Sequence, residues 1–93
     1  MDDASPDDSA GVVKSFDDRR LRYLRHETNR GANAARNTGI RAASAPIVAF
    51  LDQDDWFHAD RIAAHVAVLH GSPEVGATYG PRFNVDDPPG AVR

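Results

Sequence analysis

Apolar residues fall in short groups along the chain, and their spacing switches between helical and extended from one group to the next. Met1–Ala10 is small and acidic, punctuated by Pro6, and reads as a loop in which Asp7, Asp8 or Ser9 caps a following helix. Val12, Val13 and Phe16 lie at helical spacing, which predicts a short helix from about Ser9 to Phe16. Leu21–His26 has the alternation of a short strand, and Thr28-Asn29-Arg30-Gly31 is turn chemistry. Ala32–Ser44 is Ala-rich, with Ala35, Gly39, Ile40 and Ala43 on one face, and predicts a helix suited to close packing on a sheet. Pro46 ends it and opens the unbroken apolar run Ile47–Leu51, a strand of the kind covered on both faces. Ile62, Val66 and Leu69 mark a helix that begins at Ala59 or Asp60 and closes at Gly71, and Val75–Tyr79 reads as a last short strand. Alternating helices and strands predict an α/β fold with a mostly parallel sheet and flanking helices.

Length and composition narrow this picture without changing it. Ninety-three residues allow one small domain, here residues 1–80, with 81–93 a loop or frayed tail. An apolar content of 41% and a charged content of 27% argue against global disorder. The net charge of −3 gives no reason to expect nucleic acid or an anionic membrane as partner. Arginines are dense between Arg19 and Arg41, which suits either a phosphate ligand or a solvated mixed-charge surface. The absence of cysteine excludes disulfides and thiolate metal sites. No apolar run approaches the roughly 20 residues of a membrane helix, so a cytoplasmic chain is expected, with membrane association only through other segments or a partner.

Chemistry concentrates where strands should end. Phe50-Leu51-Asp52-Gln53-Asp54-Asp55-Trp56 crowds three carboxylates behind an apolar strand, and a second acidic pair, Asp2-Asp3, stands at the start of the chain. Like charges so close repel one another unless a cation sits among them, which makes the cluster of Asp52, Asp54 and Asp55 a candidate site for Mg²⁺ or Mn²⁺. Ligands of parallel sheets bind beyond the carboxyl ends of the strands. Two separate strand-end acids therefore fit a nucleotide-sugar, one meeting base or ribose and the other holding metal on the diphosphate. The plainer alternative is helix capping, for which Asp60 is better placed than Asp55. An EF-hand is disfavoured because Phe57 occupies the place of its turn glycine, and His26, His58, His65 and His70 lack zinc-type spacing.

Together these segments resemble the family 2 glycosyltransferases, enzymes of the GT-A, Rossmann-like fold. The resemblance rests on Asp2-Asp3-Ala4-Ser5, on Asn29-Arg30-Gly31-Ala32-Asn33-Ala34-Ala35-Arg36-Asn37-Thr38-Gly39-Ile40, and on Phe50-Leu51-Asp52-Gln53-Asp54-Asp55, in that order. Ala59-Asp60-Arg61-Ile62 and Ser72-Pro73-Glu74-Val75-Gly76 extend it over nearly the whole chain. It implies that Asp3, with Asp2 beside it, reads the nucleotide base, and that Gly31, Arg36 and Asn37 line the nucleotide pocket. It also implies that Asp52 and Asp54 form the DxD motif. Asp54 is then the direct metal ligand, and Asp52 contacts the ribose or a ligand of the metal. Trp56 and Phe57 are expected to pack rather than to form a sugar platform.

The resemblance further implies a partial GT-A domain with the first strand missing and no catalytic base in this stretch. The donor is expected to be a nucleotide-diphospho-sugar, most commonly a UDP-sugar, with the acceptor open. Three readings follow: a glycosyltransferase fragment inactive alone, a small nucleotide- or metal-binding module, or one chain of a split enzyme whose partner completes the sheet.

Overall fold

A computed structural model describes residues 1–81. The chain divides into two units, Met1–Val48 and the part from Ala49 onward. The described residues hold three helices: α1 (Ser9–Lys14), α2 (Ala32–Ala42) and α3 (Arg61–Gly71). No described helix is long and apolar enough to cross a membrane.

In the first unit, α1 starts where the sequence places a cap. The Asp8 carboxylate accepts the Gly11 N–H at 3.1 Å, and the Asp7 carboxylate accepts the Ser9 hydroxyl at 2.5 Å. The helix ends at Lys14, short of the predicted Phe16. Ser15 turns its hydroxyl onto the Val12 carbonyl at 2.6 Å, and the Phe16 N–H bonds the Val13 carbonyl in a tightened turn. Helix α2 begins as predicted after Gly31 and stops at Ala42, two residues before Ser44. Ala43 is already extended, and Pro46 disfavours helical backbone just ahead of it. The Arg22 guanidinium donates to the Ala42 carbonyl at 2.6 Å, supplying a partner and a positive charge at the helix's carboxyl end.

The predicted strand Leu21–His26 pairs at one point only, a parallel bridge between Asp2 and Arg25. The Asp2 N–H donates to the Leu24 carbonyl at 2.8 Å, and the His26 N–H donates to the Asp2 carbonyl at 2.9 Å. Among the described residues no longer ladder forms, so the mostly parallel sheet expected from the sequence is not built here. Ile47–Leu51 and Val75–Tyr79 are irregular rather than strands. A strand's backbone is satisfied only by a neighbour, and β-propensity expresses packing on a covered surface more than any preference of the lone chain. Without that neighbour Phe50 and Leu51 are about half exposed.

In the second unit, α3 begins at Arg61, with Asp60 before it making no side-chain cap. The Arg61 guanidinium lies over the Phe57 ring at 5.3 Å, a cation–π contact that anchors the helix start to the preceding loop. Further along α3, His65 Nδ1 meets the Thr78 hydroxyl at 2.7 Å. That contact ties Ala77–Tyr79 to the helix as an irregular segment. Phe57 therefore packs as expected, whereas Trp56 is 87% exposed, against expectation. No neighbouring element is laid over it within the described residues of its unit.

Among the described residues no hydrophobic side chain is fully buried; the two buried residues are Asp2 and His26. What is enclosed in the first unit is therefore a polar network, and it coincides with the acids the sequence marks.

Candidate functional site

The network grows from strand alternation. Successive side chains of an extended segment point to opposite sides, so Tyr23 and Arg25 share one face while His26 takes the other. Across the single bridge, Tyr23 and Arg25 meet Asp2, and His26 meets Asp3. The Asp2 carboxylate accepts from the Tyr23 hydroxyl, from Arg25 Nη1 at 2.8 Å and from the Ser5 N–H at 2.7 Å. Ser5 reaches back because Ala4 adopts a left-handed backbone with φ 62°. A second Arg25 nitrogen donates to the Ser5 carbonyl at 3.0 Å and closes the loop. These donors stabilise the ionised acid, with the Tyr23 hydroxyl contributing most, and hold Asp2 well below the ordinary carboxylate range. The same contact pushes the Tyr23 hydroxyl up.

Asp3 is held differently. Its Oδ1 accepts from His26 Nδ1 at 2.7 Å and from the Arg30 N–H at 2.9 Å, and its Oδ2 accepts from the Gly31 N–H at 2.7 Å. Its carbonyl takes the Asn29 side-chain amide at 3.2 Å, and Asn29 Oδ1 in turn accepts from the Gly31 N–H at 3.2 Å. The His26 contact first, then the Arg30 and Gly31 amides, draw the Asp3 pKa down. The turn 29–31 thus folds around a carboxylate and delivers the chain into α2. Gly31 makes this possible, because its φ of 89° and ψ of 159° belong to a region that only glycine occupies freely. On its far side the His26 ring meets the Thr38 hydroxyl of α2 at 2.8 Å through Nε2.

Gly31 is therefore brought to Asp3, and Asp2 lies beside it, occupied by internal donors. Arg36 and Asn37 lie on the exposed surface of α2. In the second unit, Asp52 and Asp54 occupy a turn closed by the Asp55 N–H on the Asp52 carbonyl at 3.1 Å, and Asp54 is exposed. No group of three or more metal-ligating side chains gathers among the described residues. His58, which the sequence places near these acids, turns instead to Asp60, 3.8 Å from its carboxylate. Tyr23, Arg25, His26 and Thr38 are the members of the network that motif reading misses. The available signal is the run of polar residues at both parities of a strand beside an acidic pair.

The description Glycosyl transferase family 2 matches residues 1–91. The succinoglycan biosynthesis protein ExoU of Rhizobium meliloti is 45% identical over 64 residues, which is 67% of this chain and 19% of that protein. WfgD of Escherichia coli, a UDP-Glc:alpha-D-GlcNAc-diphosphoundecaprenol beta-1,3-glucosyltransferase, is 37% identical over 68 residues, 73% of this chain and 27% of its own length. An uncharacterised glycosyltransferase of Haemophilus influenzae is 30% identical over 82 residues, 77% of this chain and 33% of its own. The chain thus spans between about a fifth and a third of these relatives. No solved structure matches it. With nearly every residue inside the family match, and with the acids and the glycine turn of that match forming one bonded network in the first unit, the chain belongs to the family 2 glycosyl transferases.

Proposed function

We propose that this chain supplies donor-nucleotide contacts of a sugar transferase, with Asp3 reading the base of a nucleotide-diphospho-sugar. The observation that carries this is the state of the Asp3 carboxylate. A carboxylate offers about four lone-pair sites, and His26, Arg30 and Gly31 use three of them. The remaining site is on Oδ2, and the side chain keeps 17% exposure. An ionised carboxylate can only accept, so its ligand must present a hydrogen-bond donor, as the N3–H of uracil does. Uracil, thymine and guanine all offer such a donor, and a UDP-sugar is proposed because the name of the related WfgD includes UDP-Glc. Gly31, Arg36 and Asn37 line the nucleotide pocket in this reading, while Asp2 braces Asp3 from behind.

Asp52 and Asp54, in the second unit, are proposed as ligands of a metal ion. Two hard oxygen donors in an exposed turn fit Mg²⁺ or Mn²⁺, cations that keep several waters and take phosphate oxygens as further ligands. When bound, the cation would neutralise the diphosphate as it leaves. No residue is assigned as catalytic base. The 93-residue polypeptide by itself is proposed to bind nucleotide weakly and not to transfer sugar. A cytoplasmic location belongs to the same proposal.

Titration calorimetry with UDP and Mn²⁺ tests it. Asp3→Asn is expected to weaken UDP binding, and Asp54→Ala to abolish its dependence on Mn²⁺. N3-methyl-UDP, which lacks the N–H, should bind the unaltered chain no better than UDP binds Asp3→Asn. Equal affinity for UDP and its N3-methyl form would remove Asp3 from base recognition.

A further inference from the structure

We propose that His26 is a positioning residue for Asp3: its imidazole, clamped between the Asp3 carboxylate and the Thr38 hydroxyl, fixes the direction in which Asp3 presents its remaining lone pair. The role rests on the reading of Asp3 as the base contact. The geometry behind it is a chain of short contacts. His26 Nδ1 lies 2.7 Å from Asp3 Oδ1, and His26 Nε2 lies 2.8 Å from Thr38 Oγ1. The ring is buried, and the His26 N–H bonds the Asp2 carbonyl at 2.9 Å, so both its backbone and its ring are fixed.

The protons follow from what each group can do. An ionised Asp3 only accepts, so Nδ1 carries a hydrogen and donates it. In the neutral ring Nε2 is then an acceptor, and the Thr38 hydroxyl donates to it. In the charged ring Nε2 donates, and the Thr38 oxygen accepts. A hydroxyl serves both states, so the clamp survives a change in ring charge.

Positioning is needed because the torsion that turns an aspartate carboxylate is broad. The Arg30 and Gly31 amides hold one edge of the group. His26 is the side chain that shares Oδ1 with the Arg30 amide, and its own N–H is bonded to the Asp2 carbonyl. Thr38 sits on α2, the helix that the Gly31 turn feeds, so His26 ties Asp2, through its backbone, and Asp3, through its ring, to that helix. His26 is thus a positioning residue with no contact to donor required of it.

The test uses the 93-residue chain and four variants: His26→Phe, which keeps ring volume without donors; His26→Asn, whose amide stands in for Nδ1–H; Thr38→Val; and Asp3→Asn. Nitrogen-15 NMR should show the Nδ1–H tautomer in the neutral ring, and an Nε2–H tautomer overturns the proposal. The Asp3 carboxyl titration, followed by carbon-13 NMR, should move up toward the ordinary range in His26→Phe and return in His26→Asn. In calorimetry His26→Phe should weaken UDP roughly tenfold, the loss of one charge-assisted bond, with Thr38→Val intermediate and His26→Asn largely restored. The difference should vanish with N3-methyl-UDP, which a general loss of folding would not produce. Unchanged Asp3 titration in His26→Phe, or His26→Asn no better than His26→Phe, overturns the proposal. If UDP binds no form of the chain, the base-reading role fails, and the carboxyl titration still decides whether His26 holds Asp3. If His26→Phe does not fold, Thr38→Val decides through the same titration, where an unmoved Asp3 overturns the proposal.

Discussion

Replacing Gly31 by alanine isolates the backbone cost of the turn that wraps Asp3. Gly31 stands at φ 89° and ψ 159°, and a Cβ added there meets nothing within 4 Å. Any loss must therefore come from the torsion itself, since no neighbour is struck. Holding a residue with a side chain in this region costs of order 1–3 kcal/mol. Gly71, the last residue of α3, supplies the comparison: its added Cβ also meets nothing within 4 Å, but its φ is not positive. Gly71→Ala should be neutral or stabilise by about 0.4–1 kcal/mol, because alanine narrows the unfolded ensemble. The assay is amide hydrogen exchange at pH 7, read at Ala35, whose N–H bonds the Gly31 carbonyl at 3.1 Å, and at residue 31 itself. Protection should fall roughly 5- to 150-fold in Gly31→Ala, the exchange equivalent of that strain. Protection of Ser72, which closes α3 on Val68, should hold or rise in Gly71→Ala. Unchanged protection in Gly31→Ala, or the same sign of effect in both variants, would refute the strain argument.

Two further outcomes follow from the network and from α1. Asp2 and Asp3 both have depressed folded-state pKa values, so their stabilisation is fully present above the unfolded carboxylate range near pH 4 and is lost as pH falls through the folded values. Tyr23→Phe removes the leading cause at Asp2, so acid-induced loss of exchange protection at His26 should begin at higher pH in that variant; coincident acid curves would count against the assignment. Asp8→Ala removes the cap on Gly11 and should cost about 1 kcal/mol of local stability, read as faster exchange at Val12, whose N–H bonds the Asp8 carbonyl.

Helices were legible in the chain because their causes are local. Gly31 and the alanines after it start α2, Pro46 bounds it, and Ile62, Val66 and Leu69 mark α3; each acts within a turn or two of itself. The Asp8 cap could be read for the same reason. Strands could not be, because Ile47–Leu51 carries the right residues, yet pairing is a property of two segments. Family membership was legible too, from the order of Asp2-Asp3, the Asn29–Ile40 element and the acids after Leu51.

What the sequence alone determined, then, is the family and the places of its acids and its turn glycine: Asp2, Asp3, Asp52 and Asp54, and Gly31. What only the tertiary structure decided is how the first two are used. The single Asp2–Arg25 bridge sets a register, and the alternation of side chains across it gives Tyr23 and Arg25 to Asp2 and His26 to Asp3. A shift of one residue would exchange those faces and leave the same acids with different partners. Identity is local and register is not, which is why Asp2 and Asp3 could be singled out from the chain while the residues that bond them could not.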